Sequence, residues 1–147
     1  MERFDVFTVL IAKISRKIRK IKSQEMAKFN LKSPHVSCLY YLYKYGSMTA
    51  KELCDFCDED KAAISRSLVY LEKSGYVSVP SSPKKRYKAA LSLTESGKEV
   101  GEFIVKKIDA VLDLVDEGLS AEHREILYSS LSLIDNNLET ISNNELK

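Results

Sequence analysis

The chain has 147 residues, 44% of them hydrophobic and 30% charged, with five glycines and three prolines. That is the size and composition of one globular domain that folds without disulfides or a structural metal. The longest stretch without Asp, Glu, Lys or Arg runs from Ser33 to Tyr43, eleven residues, where a membrane helix needs about twenty, so an integral membrane protein is excluded.

The N-terminus does not fit a secretory signal, because Glu2 and Asp5 stand where positive charge belongs and Lys13 ends the apolar run 6–12. Three cysteines, Cys38, Cys54 and Cys57, are an odd count that suits a reducing compartment, so the expected location is cytoplasmic. The net charge of +2 conceals a segregation: residues 1–92 hold 18 basic and 9 acidic groups, residues 93–147 hold 5 and 12. A net +9 beside a net −7 favours an anionic partner for the first part.

From Phe4 to about Lys28, Leu10, Ile14, Ile18 and Ile21 recur at helical spacing among lysines and arginines, which predicts an amphipathic helix. Ser33-Pro34 reads as an N-cap followed by proline at the first helical position, opening a second helix that ends before Gly46. Thr49-Ala50-Lys51-Glu52 fits the capping box, opening a short helix to about Cys57. Asp60 can cap the next helix, in which Ile64, Leu68 and Leu71 form a core stripe and Gly75 supplies a left-handed stop.

Two candidate strands follow, 76–79 and 87–93, around a basic tip containing Lys84, Lys85 and Arg86. Thr94 then begins a long helix broken near Gly118, and Ser120 caps a last one carrying Ile126, Leu127, Leu131, Ile134, Leu138 and Ile141.

A capped helix, a tight turn, a second helix and a basic-tipped hairpin make a winged helix-turn-helix, whose second helix enters the DNA major groove. On a helical wheel Ala62, Arg66, Val69 and Lys73 lie opposite Ile64, Leu68 and Leu71. Ala62 and Ala63 let the backbone approach DNA and offer methyl contact to thymine, Ser65 can bond a base or a phosphate, and Arg66 can read guanine bidentately. Lys61 and Lys73 are candidate phosphate contacts, and the tip residues Lys84, Lys85 and Arg86 suit an anionic groove. From Lys61 to Lys88 the chain holds seven basic residues and one acid, Glu72.

The order of these elements, with Glu52-Leu53, Asp60-Lys61-Ala62-Ala63-Ile64-Ser65-Arg66, Leu71-Glu72-Lys73-Ser74-Gly75-Tyr76-Val77 and Leu93-Thr94-Glu95-Ser96-Gly97, resembles the MarR family of bacterial transcription regulators over nearly the whole chain. The resemblance implies a mainly α fold with a small β-hairpin wing. It places a winged helix-turn-helix lobe at 33–93, with the helix pair at about 48–71 and the wing at about 76–93, and dimerisation helices at 1–30 and 94–147. It further implies a homodimeric double-stranded-DNA-binding repressor on pseudo-palindromic sites, with no catalytic activity and no cofactor.

Residue by residue, the family's recognition contacts fall on Lys61 to Arg66 and its wing arginine on Arg86. A small aromatic or phenolic effector is also implied, with Tyr40, Tyr41, Tyr43 and Tyr45 the only lining the sequence offers. The wing departs from the family in reading Lys85-Arg86-Tyr87 in place of Asp-Arg-Arg.

The terminal apolar stripes exceed what small lobes can cover within one chain, which independently points to a dimer. Cys54-x-x-Cys57 lacks a second Cys or His pair at ligand spacing and reads as small hydrophobes beside Leu53 and Phe56. A thiol- or metal-responsive regulator using Cys54 and Cys57, or a protein-interaction module, is the alternative. His35 and His123 stand alone near helix starts, and Asp55-Asp58-Glu59-Asp60 reads as a cap and dipole partner for the following helix.

Overall fold

The structure is a computed structural model that describes residues 1–79 and 88–144. The chain forms two compact units, Met1–Ile108 and Asp109–Lys147. In the first, a π-helical turn, Asp5–Leu10, leads into α1, Ile11–Glu25. Helix α2 spans Ser33–Tyr45, strand β1 Ser47–Met48, α3 Ala50–Cys57 and α4 Lys61–Lys73. Strands β2, Val77–Ser78, and β3, Leu91–Leu93, precede α5, Glu95–Val115, whose last residues belong to the second unit with α6, Ala121–Asn143.

The core of the first unit is apolar and continuous. Leu39 and Leu42 of α2, Leu53 of α3, Ile64 and Leu71 of α4 and Ile104 of α5 are all within 1% of complete burial. Burying an aliphatic side chain contributes about 1.5–3 kcal/mol, so these facing stripes hold α2, α3 and α4 together. Beneath them lies a three-stranded antiparallel sheet in the order β1-β3-β2, with Met48 opposite Leu91 and Val77 opposite Leu93.

Local chemistry fixes the helix ends. The Glu52 amide donates to Thr49 Oγ1 at 3.2 Å while the Thr49 amide donates to Glu52 Oε2 at 2.7 Å, completing the capping box at α3. Those bonds hold the Glu52 carboxyl below its ordinary range. Helix α4 ends in a Schellman arrangement: the Tyr76 amide reaches the Leu71 carbonyl at 2.9 Å and the Gly75 amide the Glu72 carbonyl at 3.0 Å, with Gly75 at φ +78°. In the second unit Ser120 Oγ accepts from the His123 amide at 3.1 Å, capping α6.

Gly97 lets α5 start where it does. A Cβ there would overlap the Tyr76 carbonyl, which already accepts from the Thr94 amide at 3.0 Å. Thr94 Oγ1 in turn donates to the Gly75 carbonyl at 2.6 Å and accepts from the Gly97 amide at 3.0 Å. The Thr94-Glu95-Ser96-Gly97 segment therefore stitches the start of α5 to the end of α4.

Four boundaries differ from the sequence expectation. The cap of α2 is Lys32, not Ser33, and its amide is satisfied by His35 Nδ1 at 3.0 Å, an imidazole doing what a hydroxyl usually does. The first helix stops as α at Glu25, and a 3₁₀ turn, Ala27–Phe29, closes on Asn30 at φ 56°. The wing strands are shorter than 76–79 and 87–93, because Lys88 and Ala89 lie in a turn. Strand β1 was not expected, since two residues carry no readable alternation.

Candidate nucleic-acid interface

Helices α3 and α4 are joined by Asp58, Glu59 and Asp60. Asp58 takes a left-handed conformation, φ 50°, that reverses the chain, and Asp60 Oδ1 accepts from the Ala63 amide at 2.7 Å. The acidic cluster thus supplies the turn and the cap of α4.

Helix α4 has two unlike faces. Ile64, Ser67, Leu68 and Leu71 are buried, while Lys61, Ala62, Ser65, Arg66, Val69 and Lys73 are exposed and Ala63 is half-buried. The exposed face is small near the positive end of the helix dipole and cationic further along, and such a face admits a polyanion closely. Lys84, Lys85 and Arg86, the expected basic tip, lie outside the described residues.

Tyr70 anchors α4 from behind. Its hydroxyl donates to the Asn30 carbonyl at 2.7 Å, and its ring stacks on His35 with centroids 4.3 Å apart. Burial, then Lys32, lowers the His35 pKa, which favours the neutral imidazole whose Nδ1 accepts from the Lys32 amide. Sequence reasoning missed both Tyr70 and the burial of Ser67, because neither breaks the apolar periodicity of the stripe.

Two cavities flank the helix pair. One of about 280 Å³ lies between α3, α4 and the hairpin, against Ala50, Cys54, Ile64, Leu68, Val79 and Leu91. The other, about 270 Å³, is lined by Lys22, Ser37, Tyr40, Tyr41, Phe56 and Cys57. Lys22 Nζ donates to Ser37 Oγ at 3.0 Å, and burial lowers the Lys22 pKa, with Cys57 opposing.

Of the four tyrosines, Tyr40 and Tyr41 line this second cavity. Tyr43 packs against Gly101, and Tyr45 closes an aromatic trio with Tyr41 and Phe56 at 6.3 and 5.3 Å. Lys22 was not singled out as a site residue because it reads as one of many lysines on α1. Cys54 and Cys57 face different cavities, although they are three residues apart on one helix. Among the described residues no group of three His, Cys, Asp or Glu is placed to hold a metal ion, and no helix is long and apolar enough to cross a membrane.

Comparison with known proteins agrees with this arrangement. Residues 29–86 match the sequence model of the MarR family. The HTH-type transcriptional regulator YwoH of Bacillus subtilis (strain 168) is 29% identical over 111 residues, covering 76% of this chain and 77% of that protein. YfiV of the same organism is 26% identical over 115 residues, covering 78% and 72%.

Among solved structures, a MarR family regulator from Neisseria meningitidis superposes with a TM-score of 0.82 at 24% identity, covering 99% of this chain and 100% of that one. The S. aureus MepR–DNA complex gives 0.75 at 17% identity, covering 93% and 99%. At these identities the structures establish the winged-helix fold. With residues 29–86 matching the MarR family model and transcriptional regulators among the relatives and the solved structures, the chain is similar to the MarR family of transcriptional regulators and shares its fold.

Proposed function

We propose that this chain is a sequence-specific double-stranded-DNA-binding regulator that acts as a homodimer on pseudo-palindromic sites and represses by occupying them. The observation that carries this reading is the division of α4: four residues fix it to the core while Ala62, Ser65, Arg66, Val69 and Lys73 face solvent. In this reading Arg66 reads a base edge, Ala62, Ala63 and Ser65 set the approach, and Lys61 and Lys73 hold phosphates. The wing cations Lys84, Lys85 and Arg86 extend the contact to the neighbouring groove. A solved structure of S. aureus MepR in complex with DNA, with the same fold, supports DNA as the partner.

The dimer is supported by the terminal helices. Neither α1 nor α6 has a buried residue, and Ile14, Ile18, Ile126 and Leu138 are each 48–55% exposed. Apolar stripes of this length are covered by a partner, and a second copy of the chain supplies it symmetrically. Repression needs no surface beyond the DNA-reading one. A small aromatic effector fits the Lys22 cavity, with Tyr40 and Tyr41 beside a cation; it shifts DNA affinity by favouring one lobe arrangement over another.

Selection from a random duplex pool tests the proposal. The expected winner is two-fold symmetric, with half-sites about ten base pairs apart. Enrichment of no sequence, with only weak binding abolished by moderate salt, overturns it and leaves a protein partner as the reading.

A further inference from the structure

The start of α2 and the second half of α4 meet through one imidazole. Lys32, the cap of α2, has no side-chain oxygen and Pro34 has no amide, so this helix start is closed by the bond from the Lys32 amide to His35 Nδ1 at 3.0 Å. The His35 ring lies on the Tyr70 ring of α4, 6° from parallel with centroids 4.3 Å apart. At its tip Tyr70 donates to the Asn30 carbonyl at 2.7 Å, and Asn30 holds a left-handed conformation, φ 56°, where the 3₁₀ turn ends. One imidazole is thus an acceptor for α2 and a platform for α4.

We infer that His35 and Tyr70 are positioning residues for α4 that a proton releases: the neutral imidazole holds α4 against the start of α2, and the imidazolium lets it go. The inference rests on the DNA-reading function proposed above. Arg66 stands four residues before Tyr70 and Lys73 three after it, on the same side of the helix. The ring that fixes Tyr70 therefore fixes the aim of both cations.

The chemistry follows from the donor count. A neutral imidazole has one N–H and one acceptor, and an imidazolium has two N–H groups and no acceptor. With Nδ1 taking the Lys32 amide, the neutral ring carries its proton on Nε2. A second proton sets one N–H against another at the positive end of the α2 dipole. A cation over a tyrosine face is favourable in itself, but here it forfeits the cap. The charged and titratable neighbours are Lys32 on the same turn and Tyr70 on α4, and neither is a carboxylate that would hold the cation. Being half-buried, the ring has solvent to turn into.

The sign is set by the same surroundings. Burial and Lys32 lower the His35 pKa from its ordinary value, so the folded arrangement takes the proton less readily than a free imidazole does. Its contribution is complete above about pH 6.5 and is lost progressively as pH falls below that.

The test measures anisotropy of the full-length protein on the duplex enriched by selection, at about pH 7.5 and about pH 5.5, either side of the ordinary imidazole range. The wild type should lose about threefold to tenfold in affinity, one linked proton being worth at most about tenfold per pH unit. In His35→Gln the amide oxygen can still reach back to the cap amide, as in a capping box, but does not titrate and does not stack. This variant should bind with one affinity at both pH values, between the two of the wild type. Tyr70→Leu keeps the cap and removes the platform, so the step should vanish there too. A wild type without the step, or a His35→Gln or Tyr70→Leu protein that keeps all of it, overturns the inference.

The two histidines of the chain, His35 and His123, make the proton readable by NMR without DNA. The His35 ring resonance and the amides of residues 66–73 should titrate together, with a midpoint below about 6.5. Amides of α4 that stay fixed while His35 titrates overturn the inference. A protein that binds no duplex at neutral pH overturns the DNA reading, and the NMR titration then decides the positioning pair by itself.

Discussion

Helices α4 and α6 carry the same kind of sequence pattern and meet opposite fates. In α4, Ile64, Leu68 and Leu71 recur at helical spacing and all are buried within the chain. In α6, Ile126, Leu127, Leu131, Leu138 and Ile141 recur at similar spacing and every one is 41–55% exposed. Periodicity states that a face seeks cover; it does not state which chain supplies the cover. One helix is stabilised by its own fold, and the other, in our reading, by a second copy.

The buried stripe of α4 is the more sensitive of the two. Leu71→Ala should cost about 2–5 kcal/mol of unfolding free energy, read by urea titration and independent of protein concentration. Leu131→Ala should instead lower the melting temperature in a concentration-dependent way, as loss of partner stabilisation does. Equal, concentration-independent losses in both variants would place the α6 stripe inside one subunit.

Gly97→Ala tests the stitching of α5 to the end of α4. Its methyl meets the Tyr76 carbonyl, so one or both must shift, and overpacking of this kind costs about 1–3 kcal/mol. A variant with unchanged stability would show that α5 is not held by that approach.

The outward face of α4 should carry binding and no stability. Arg66→Ala is expected to leave the unfolding midpoint in place while costing about 1–3 kcal/mol in DNA affinity and relaxing preference at one base position. Lys73→Ala should weaken all duplexes alike and reduce the salt slope by about 1. Fluorescence anisotropy across a salt series separates the two.

The smallest effect belongs to the cap. Asp60→Ala removes the acceptor of the Ala63 amide and should cost about 1 kcal/mol of stability, while Asp60→Asn, which keeps an oxygen there, should cost less. Thermal unfolding of the pair gives the difference directly.

Much of the fold was legible because its signals are local. Thr49, Asp60 and Ser120 each had to cap a helix, and Gly75 had to end one, since a hydroxyl, a carboxylate or a Cβ-free residue in those places has few other uses. The outward set Ala62, Arg66, Val69 and Lys73 followed from 3.6 residues per turn and is exposed throughout.

What escaped was contact between distant positions. Nothing in the sequence ties Tyr70 to Asn30, forty residues away. His35 replacing Ser33 at the start of α2 was missed for a subtler reason: an imidazole nitrogen can accept an amide, but helix-start signals are read from hydroxyls and carboxylates.

In our proposal two copies of this chain present two α4 faces to one duplex, and a stoichiometric titration decides it. With the selected duplex held well above its dissociation constant, anisotropy should break at two chains per symmetric site, and a duplex carrying one half-site should bind far more weakly. A break at one chain per duplex, with the half-site binding as tightly as the whole, would contradict it.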